Sequence, residues 1–345
     1  MAPVPEDHWI ATAQELPVRQ HAEHGNHAQC AQQDNEFERG FLTREGGMST
    51  FIDFARAHGV EIDPSRLYAS ERIKRCGTTD KPKGTNGAYF WDGARGWVFN
   101  WAAEARVQWF HDHTATPWTE AEKAAWKANR QAANATQEQE YQRAALRAAE
   151  MMRAAKPMEH NYLHRKGFTD AQGFVTEDGA LLIPMRNLQT NNLQGVQVIR
   201  WDEEARTFTK KMNPGMRAKG AVFRMGDKTA PETFLVEGYA TGLSVHAALR
   251  SVGLRASVLV CFSANNLEFI APQLKGRAFV CADNDKSGTG EKSAQATGLP
   301  YCMSPIVGED MNDLHARAGL MAVCAQLMAL RKWLQNIADE KAYYA

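Results

Sequence analysis

Short apolar segments alternate with segments of helical spacing in the last third of the chain. The four apolar segments span residues 233–236, 256–262, 277–282 and 299–303. Between the first two, Ala240, Leu243 and Ala247 recur on one side of a predicted helix. Strands that alternate with helices predict a parallel sheet with right-handed crossovers.

Acidic residues follow the first, third and fourth of these segments. They are Glu237, Asp283, Asp285 and Asp310. Because parallel strands end at one edge of their sheet, the four side chains are predicted to lie there together. Carboxylates brought close together repel one another without a cation, and hard oxygen ligands select Mg²⁺ or Mn²⁺ rather than zinc. Helix caps or surface acids would account for any one of them, but poorly for the ordered set.

Charge is divided unevenly over a chain whose formal net charge is +0. Residues 186–228 hold nine Lys and Arg against four Asp and Glu, and residues 232–313 hold six against nine. A basic stretch beside an acidic one suits a polyanion site next to a cation site. The alternative at this point is chance variation in surface charge.

Residues 66–101 combine basic side chains with aromatic ones. Six Lys and Arg come first, and a hairpin pattern over 87–101 follows, with a Gly-Ala-Arg-Gly turn. Aromatic rings between cations can stack nucleobases while the cations hold phosphates, and Arg75, Lys81 and Trp97 are the candidates. The alternative is that the aromatic residues Tyr89, Trp91, Trp97 and Trp101 form the core of a small β module.

The remaining segments predict little chemistry. Residues 1–47 are polar without apolar period and are predicted to be a disordered extension, 111–157 a helical linker, and 321–345 a C-terminal helix. No apolar run is long enough for a membrane span, and no secretion signal is recognisable at the N-terminus. The six cysteines contain no Cys-x-x-Cys pair, so neither a disulfide framework nor structural zinc is expected, and a cytoplasmic protein is predicted.

The acidic segments resemble the Toprim domain, which bacterial-type DNA primases, topoisomerases and some nucleases share. The resemblance rests on Glu237-Gly-Tyr-Ala-Thr-Gly-Leu-Ser244, Ala282-Asp-Asn-Asp-x-x-Gly288 and Asp310-x-Asn-Asp313. It is closer to the primases of phages and plasmids. Segments 161–167, 181–186, 195–200 and 209–212 are similar to the basic catalytic subdomain of those primases.

The resemblance implies an architecture. The fold class is α/β, with a Toprim domain of Rossmann-like parallel sheet over 231–320, a mixed α+β basic subdomain over 158–230, and a β-rich module over 48–110. That module is a zinc-free, ribbon-like template binder, because the cysteine pairs of the related zinc ribbons are missing. A second departure is Thr241, where several primases have an acid.

The resemblance also implies an activity, the synthesis of RNA primers on single-stranded DNA from ribonucleoside triphosphates, with a separate helicase as partner. Glu237 would be a metal ligand or base, and Asp283, Asp285 and Asp310 would hold Mg²⁺ or Mn²⁺. The expected phosphate and template ligands across a cleft are Arg186, Arg200, Lys210 and Lys211, and which lysine matters stays open. The alternatives are a Toprim nuclease and a non-catalytic DNA-binding protein with a relict fold.

Overall fold

The computed structural model describes residues 51–93, 95–101, 107–111 and 119–343. The predicted disordered extension 1–47 lies outside them. The chain divides into two compact units, and the division falls between Asn129 and Arg130, inside one long helix. Each unit contains one sheet. Over the described ranges, no helix has the length and apolar character that crossing a membrane requires.

The N-terminal unit is a five-stranded antiparallel sheet, with the strands in sequence order and a helix on one face. Helix α1 spans Phe51–Ala57. The strands are β1 (Val60–Glu61), β2 (Ser70–Thr78), β3 (Gly87–Trp91), β4 (Arg95–Asn100) and β5 (Gln108–His111). The predicted hairpin over 87–101 is therefore the β3–β4 pair.

Alternation along β3 and β4 separates the aromatic residues between the two faces of this sheet. Tyr89 and Val98 are directly opposite each other and lie in the core beneath α1. Phe90 and Trp97, also directly opposite, point to the other face. Trp101 is 44% exposed. Only part of the aromatic set therefore forms the core of the module.

Helix α2 (Glu120–Ala154) connects the two units. Its sequence is rich in Ala, Gln, Glu, Lys and Arg, which favour helix, and residues 127–140 are exposed. The last turns differ, because Ala148, Met151 and Met152 pack against Leu182 and Val196 of the second unit. The helix is thus exposed over residues 127–140 and part of a core at its end.

The second unit holds a ten-stranded sheet whose first part is mainly antiparallel. Helix α3 (Asn161–Arg165) lies between its first two strands in sequence. The strands of this part are β6 (Lys156–Glu159), β7 (Gln172–Val175), β8 (Leu181–Asn187), β9 (Leu193–Asp202), β10 (Thr207–Met212) and β11 (Ala221–Gly226).

The last part of the sheet is parallel, in the order β13-β12-β14-β15. The strands are β12 (Glu232–Val236), β13 (Ala256–Val260), β14 (Arg277–Cys281) and β15 (Tyr301–Cys302). The helices are α4 (Tyr239–Ser251), α5 (Ala264–Ile270), α6 (Thr289–Ala296), α7 (Met311–Ala318) and α8 (Leu320–Tyr343). The predicted fold class, an α/β domain with a parallel sheet, preceded by a mixed α+β part and a separate β-rich module, is confirmed.

One apolar core joins the two parts of this sheet. Leu181, Ile199 and Phe234 belong to it, together with Val323 and Leu327 of α8. Burial of such side chains contributes about 1.5–3 kcal/mol each, so antiparallel part, parallel part and C-terminal helix stabilise one another.

An ion-pair cluster fixes α8 at the start of β12. The Glu232 carboxylate is buried and accepts hydrogen bonds from Arg331 at 2.7 and 3.0 Å. Arg277 at the start of β14 lies 3.2 Å from the same carboxylate. Two guanidinium groups thus neutralise an acid that would be costly to bury alone.

Candidate active site

Four acidic residues lie at the carboxyl edge of the parallel strands. Glu237 directly follows β12, Asp283 and Asp285 follow β14, and Asp310 immediately precedes α7. The strands end side by side because Val236 is paired with Val260 and with Cys281 in parallel register. The topology therefore brings to one edge residues that are up to 73 positions apart in the chain (310 − 237).

Asp283 is the electrostatic centre of this edge. Burial raises its pKa to about 7, and the negative charges of Asp310, Glu237 and Asp285 act in the same direction, in that order. Its Oδ1 atom is buried and has no hydrogen-bond partner among the described residues. A buried carboxylate oxygen without a donor is costly unless a cation or ligand group approaches it.

Glu237 has a related environment. Burial raises the pKa of its carboxyl group, and the negative charge of Asp285 adds to the effect. Its backbone carbonyl accepts a hydrogen bond from Phe262 N at 2.9 Å, which fixes the end of β12 against the end of β13. Glu237 and Asp283 are thus two partly buried carboxyl groups that a positive charge would stabilise in the ionised form.

Asp285 is held by its own loop. Its carboxylate accepts hydrogen bonds from the Ser287 hydroxyl, from Gly290 N at 2.8 Å and from Thr289 N at 3.2 Å. These donors, the Ser287 side chain first, lower the pKa of Asp285 to about 2. A Cβ at Gly290 would lie 2.2 Å from Asp283 O, so only glycine allows this close packing. Asp285 therefore shapes the loop and supplies a permanent negative charge.

Asp310 is the N-cap of α7. Its Oδ1 accepts from Asn312 N at 2.6 Å and from Asp313 N at 2.9 Å in a capping box. Its Oδ2 accepts from the Thr241 hydroxyl at 3.0 Å. Thr241 thus donates to one of the four acids instead of adding a fifth charge.

The four acids differ in their availability to a cation. Among the residues the structure describes, no three Asp, Glu, His or Cys side chains are arranged to ligate one ion together. Asp285 and Asp310 have their oxygens engaged, whereas Asp283 Oδ1 has no partner in the described chain. The donor set fits a hard divalent cation on Asp283 and Glu237, with the other two acids adding negative potential.

Lys210 faces this edge from the antiparallel part of the sheet. It lies directly opposite Ile199, whose side chain is in the core that the two parts share. Its positive charge lowers the pKa of Asp283, and its Nζ atom lies 5.4 Å from the ring centroid of Tyr162. A basic side chain is therefore placed within electrostatic range of the acidic edge.

Arg200 and Lys211 are on the other face of the antiparallel part. Side chains alternate between the two faces of a strand, so Lys211 and Lys210 point to opposite faces of the sheet. Lys211 lies opposite Val198, which packs towards α2. Arg200 forms an ion pair with Asp178, with Nη1 to Oδ2 at 2.7 Å. Arg200 and Lys211 therefore lie on the sheet face opposite to Lys210, and their role as phosphate or template ligands stays a prediction.

Arg186 is engaged by a turn. Its Nη1 donates to the Asn191 carbonyl at 3.1 Å, and burial lowers the pKa of its guanidinium group. It is paired with Val222 of β11, whose side chain packs in the apolar cluster of α5 and α6. The described contacts give Arg186 a role in holding the β8–β9 turn.

The three candidates of the N-terminal unit are spread over its sheet. The Arg75 guanidinium lies 3.8 Å from the ring centroid of Trp101, and Trp97 stacks with Phe90 at 6.4 Å. Lys81 is exposed in the turn that follows β2, where its carbonyl accepts from Thr78 N. Arg75 and Trp97 thus share an open sheet face, and Lys81 lies at its end.

Tyr162 of α3 was not among the sequence candidates. It is 2% exposed, and its hydroxyl is buried without a hydrogen-bond partner among the described residues. Burial raises the pKa of this hydroxyl, and the negative charge of Asp310 adds to the effect. The Asn312 side chain donates to Lys166 O at 2.9 Å and so ties α3 to α7. Tyr162 becomes a candidate only in the structure, where it lies near Lys210 and Asp310.

The comparison with protein families agrees with this geometry. Residues 232–320 match the family model of the Toprim domain. The chain therefore contains a Toprim domain, which belongs to the metal-binding superfamily of nucleases, primases and topoisomerases that act on nucleic acids. Domains of this family generally bind Mg²⁺. No curated protein matches the chain.

Added Mg²⁺ should stabilise the protein more at about pH 8 than at about pH 6. Between its unfolded-state pKa of about 4 and its folded-state pKa of about 7, Asp283 keeps a proton in the folded protein that the unfolded chain releases. Stability in EDTA should therefore fall as the pH rises through this window. The cation binds the ionised form and relieves the repulsion, which can be measured as a shift in melting temperature.

The control for this experiment is Asp283→Asn, which has no charge to titrate at this position. It should show a smaller pH difference in the effect of Mg²⁺. An equal Mg²⁺ shift at both pH values in the unaltered protein would contradict the assignment of Asp283 to the cation.

Proposed function

We propose that the protein is a DNA primase, which makes short RNA primers on single-stranded DNA by metal-dependent nucleotidyl transfer. The observation that carries this proposal is the approach of Lys210 to the acidic edge. A nuclease that adds water through its acids does not require a basic side chain beside them. A polymerase must hold both a triphosphate and a primer end, so it needs cationic groups beside the acids.

The residues of the acidic edge have different proposed roles in phosphoryl transfer. A divalent cation, when bound, neutralises phosphate charge and activates the attacking oxygen. Asp283 and Glu237 would hold it, or Glu237, whose pKa is raised by burial, would instead accept the proton of a primer 3′-hydroxyl. Lys210 would stabilise the charge that develops on the leaving pyrophosphate. Asp285 and Asp310 keep loop and helix in position.

The open face of the N-terminal sheet is the proposed binding surface for the DNA template. We define this surface by Arg75, Phe90, Trp97 and Trp109, because neighbouring pairs place them on the face opposite α1. Trp109 is 46% exposed. Aromatic rings beside a guanidinium group suit unpaired bases and the phosphates between them, without sequence preference.

Trp97→Ala should weaken binding of a single-stranded oligonucleotide by about tenfold, because one stacking ring is worth about 1–3 kcal/mol. Fluorescence anisotropy of a labelled oligodeoxynucleotide measures the effect. Trp97→Phe keeps a stacking surface and is the matched control, expected to retain most of the affinity. Full affinity in the alanine variant, with its fold intact by circular dichroism, would exclude Trp97 from the interface.

One gel separates the proposed activity from its alternatives. Purified protein is incubated with single-stranded DNA, labelled ribonucleotides and either Mg²⁺ or Mn²⁺. Labelled oligomers that depend on the template support the primase. Shortened DNA without oligomers supports a Toprim nuclease. Binding without either product supports a non-catalytic protein, for which Asp283→Ala and Asp285→Ala would leave the biological effect intact.

The biological setting proposed here rests on the resemblance to the primases of phages and plasmids. It comprises the cytoplasm of a bacterial host and a separate replicative helicase that exposes the single strand. Co-purification of the protein with a helicase encoded by the same element would test the partnership.

A further inference from the structure

A cavity of about 500 Å³ is lined by residues of the antiparallel part of the sheet and by residues that follow β13. Its volume is in the range of pockets that hold small molecules. Its lining includes Met212, Lys219, Cys261, Asn265, Asn266 and Phe269. Met212 ends β10, two positions after Lys210.

The floor of the cavity is bonded to the strand that carries Glu237. Cys261 N donates to Val236 O at 2.8 Å, and the next residue, Phe262, donates to Glu237 O at 2.9 Å. Burial raises the pKa of the Cys261 thiol, and the negative charge of Glu237 adds to the effect. The cavity therefore adjoins the candidate metal ligands.

The walls of the cavity are fixed before any ligand arrives. The buried Asn266 amide donates to Ala221 O at 2.7 Å and Cys261 O at 2.8 Å, and its oxygen accepts from Gly220 N at 2.8 Å. One side chain thus ties the wall at 218–221 to the floor. Phe262 has a φ of 66°, a left-handed conformation that is rare for a bulky residue and is often retained near functional sites.

The lining combines a flat apolar surface with polar groups. Phe269 is 39% exposed, and the Lys219 ammonium lies 4.5 Å from the centroid of its ring. Asn265 is exposed at the mouth, with an amide that can both donate and accept. Ring, amide and cation together suit a planar heterocycle with a polar edge and a nearby phosphate.

We propose that this cavity binds the base and ribose of a nucleoside triphosphate whose phosphates lie at Lys210 and the acidic edge. The inference rests on the proposed function, to which it adds a location for the incoming nucleotide. Phe269 supplies the stacking surface, Asn265 contacts the edge of the base or the ribose, and the rigid floor sets the distance to Glu237.

Calorimetric titration of the full chain with ATP and with inorganic tripolyphosphate, both with Mg²⁺, tests the proposal. Phe269→Ala and Asn265→Ala should each weaken ATP binding by about five- to tenfold and leave tripolyphosphate binding unchanged. The reason is that the base of ATP contacts these side chains, whereas tripolyphosphate has no base. Val252→Ala, which shortens an exposed apolar side chain after α4, away from the cavity, is the matched control and should bind both ligands normally.

The outcomes separate this proposal from the proposed function. Unchanged ATP affinity in both variants, or an equal loss for ATP and tripolyphosphate, overturns the base-binding role, even if the unaltered protein makes primers. ATP binding no tighter than tripolyphosphate binding in the unaltered protein overturns it as well. If ATP binding depends on Phe269 and Asn265 but the protein makes no primers, the base-binding role of the cavity is supported and the proposed primase activity is contradicted.

Discussion

Asp283→Asn should reduce primer synthesis by about a thousandfold, the scale of effect seen when a preorganised electrostatic group is removed. Asp283 is the acid whose Oδ1 is buried without a hydrogen-bond partner among the described residues, and burial, together with the negative charges of its three neighbours, raises its pKa to about 7. An amide cannot supply the negative charge that a cation requires. The measurement is the rate of labelled oligomer formation at saturating Mg²⁺.

The same variant should fold at least as well as the unaltered protein. At a pH above about 7 the ionised Asp283 is repelled by its neighbours, so asparagine should raise the melting temperature in EDTA. The matched control is Asp178→Asn, on the other face, where Asp178 pairs with Arg200. More than a tenth of the activity left in Asp283→Asn, or an equal loss in Asp178→Asn, would contradict the assignment.

Lys210→Ala should reduce primer synthesis by about a hundredfold, and Lys211→Ala should change it by no more than about twofold. Both substitutions remove one ammonium group from β10, so each controls for the other. Only Lys210 acts on Asp283, because adjacent residues of a strand point to opposite faces and Lys211 lies opposite Val198. The assay compares kcat and KM for ribonucleotides in the two variants.

Equal losses in the two lysine variants would show that the contribution is diffuse basic charge and not one placed ammonium group. A large loss confined to Lys211→Ala would mean that phosphates bind on the α2 side of the sheet. Lys210→Arg should recover part of the activity, since it keeps the charge with a different donor geometry.

The parallel half of the fold was predictable because each of its strands is a continuous apolar run. Such runs are typical of strands buried on both faces, and an acid after the run marks the exposed edge. Glu237 and Asp283 could therefore be assigned to one edge from sequence alone. The match of residues 232–320 to the Toprim domain supports the same part of the chain.

The basic half was harder to predict. The alternation of side chains along a strand predicts that Lys210 and Lys211 point to opposite faces of the sheet. Which of the two faces the acids depends on how the antiparallel strands pack against α4 and α2. The pairing of Arg200 with Asp178 joins residues 22 positions apart and has no periodic signal. The individual basic side chains therefore needed the structure.

Two features of the acidic edge were also hidden from the sequence. The hydrogen bond from the Thr241 hydroxyl to Asp310 joins residues 69 positions apart and has no signal in the sequence. The left-handed conformation of Phe262 is another, because nothing in an aromatic residue favours a positive φ. The cavity joins 212 and 218–219 to 261–269, which only the folded chain brings together.

The pairing of Glu232 with Arg331 limits how this protein can be dissected. The span that matches the Toprim family ends at residue 320, eleven positions before the guanidinium group that neutralises Glu232 (331 − 320). A fragment cut at that boundary would leave the Glu232 carboxylate with Arg277 alone and would strip Val323 and Leu327 from the hydrophobic core. The matched span is therefore smaller than the set of elements that pack together, and a fragment that keeps these contacts must extend at least to residue 331.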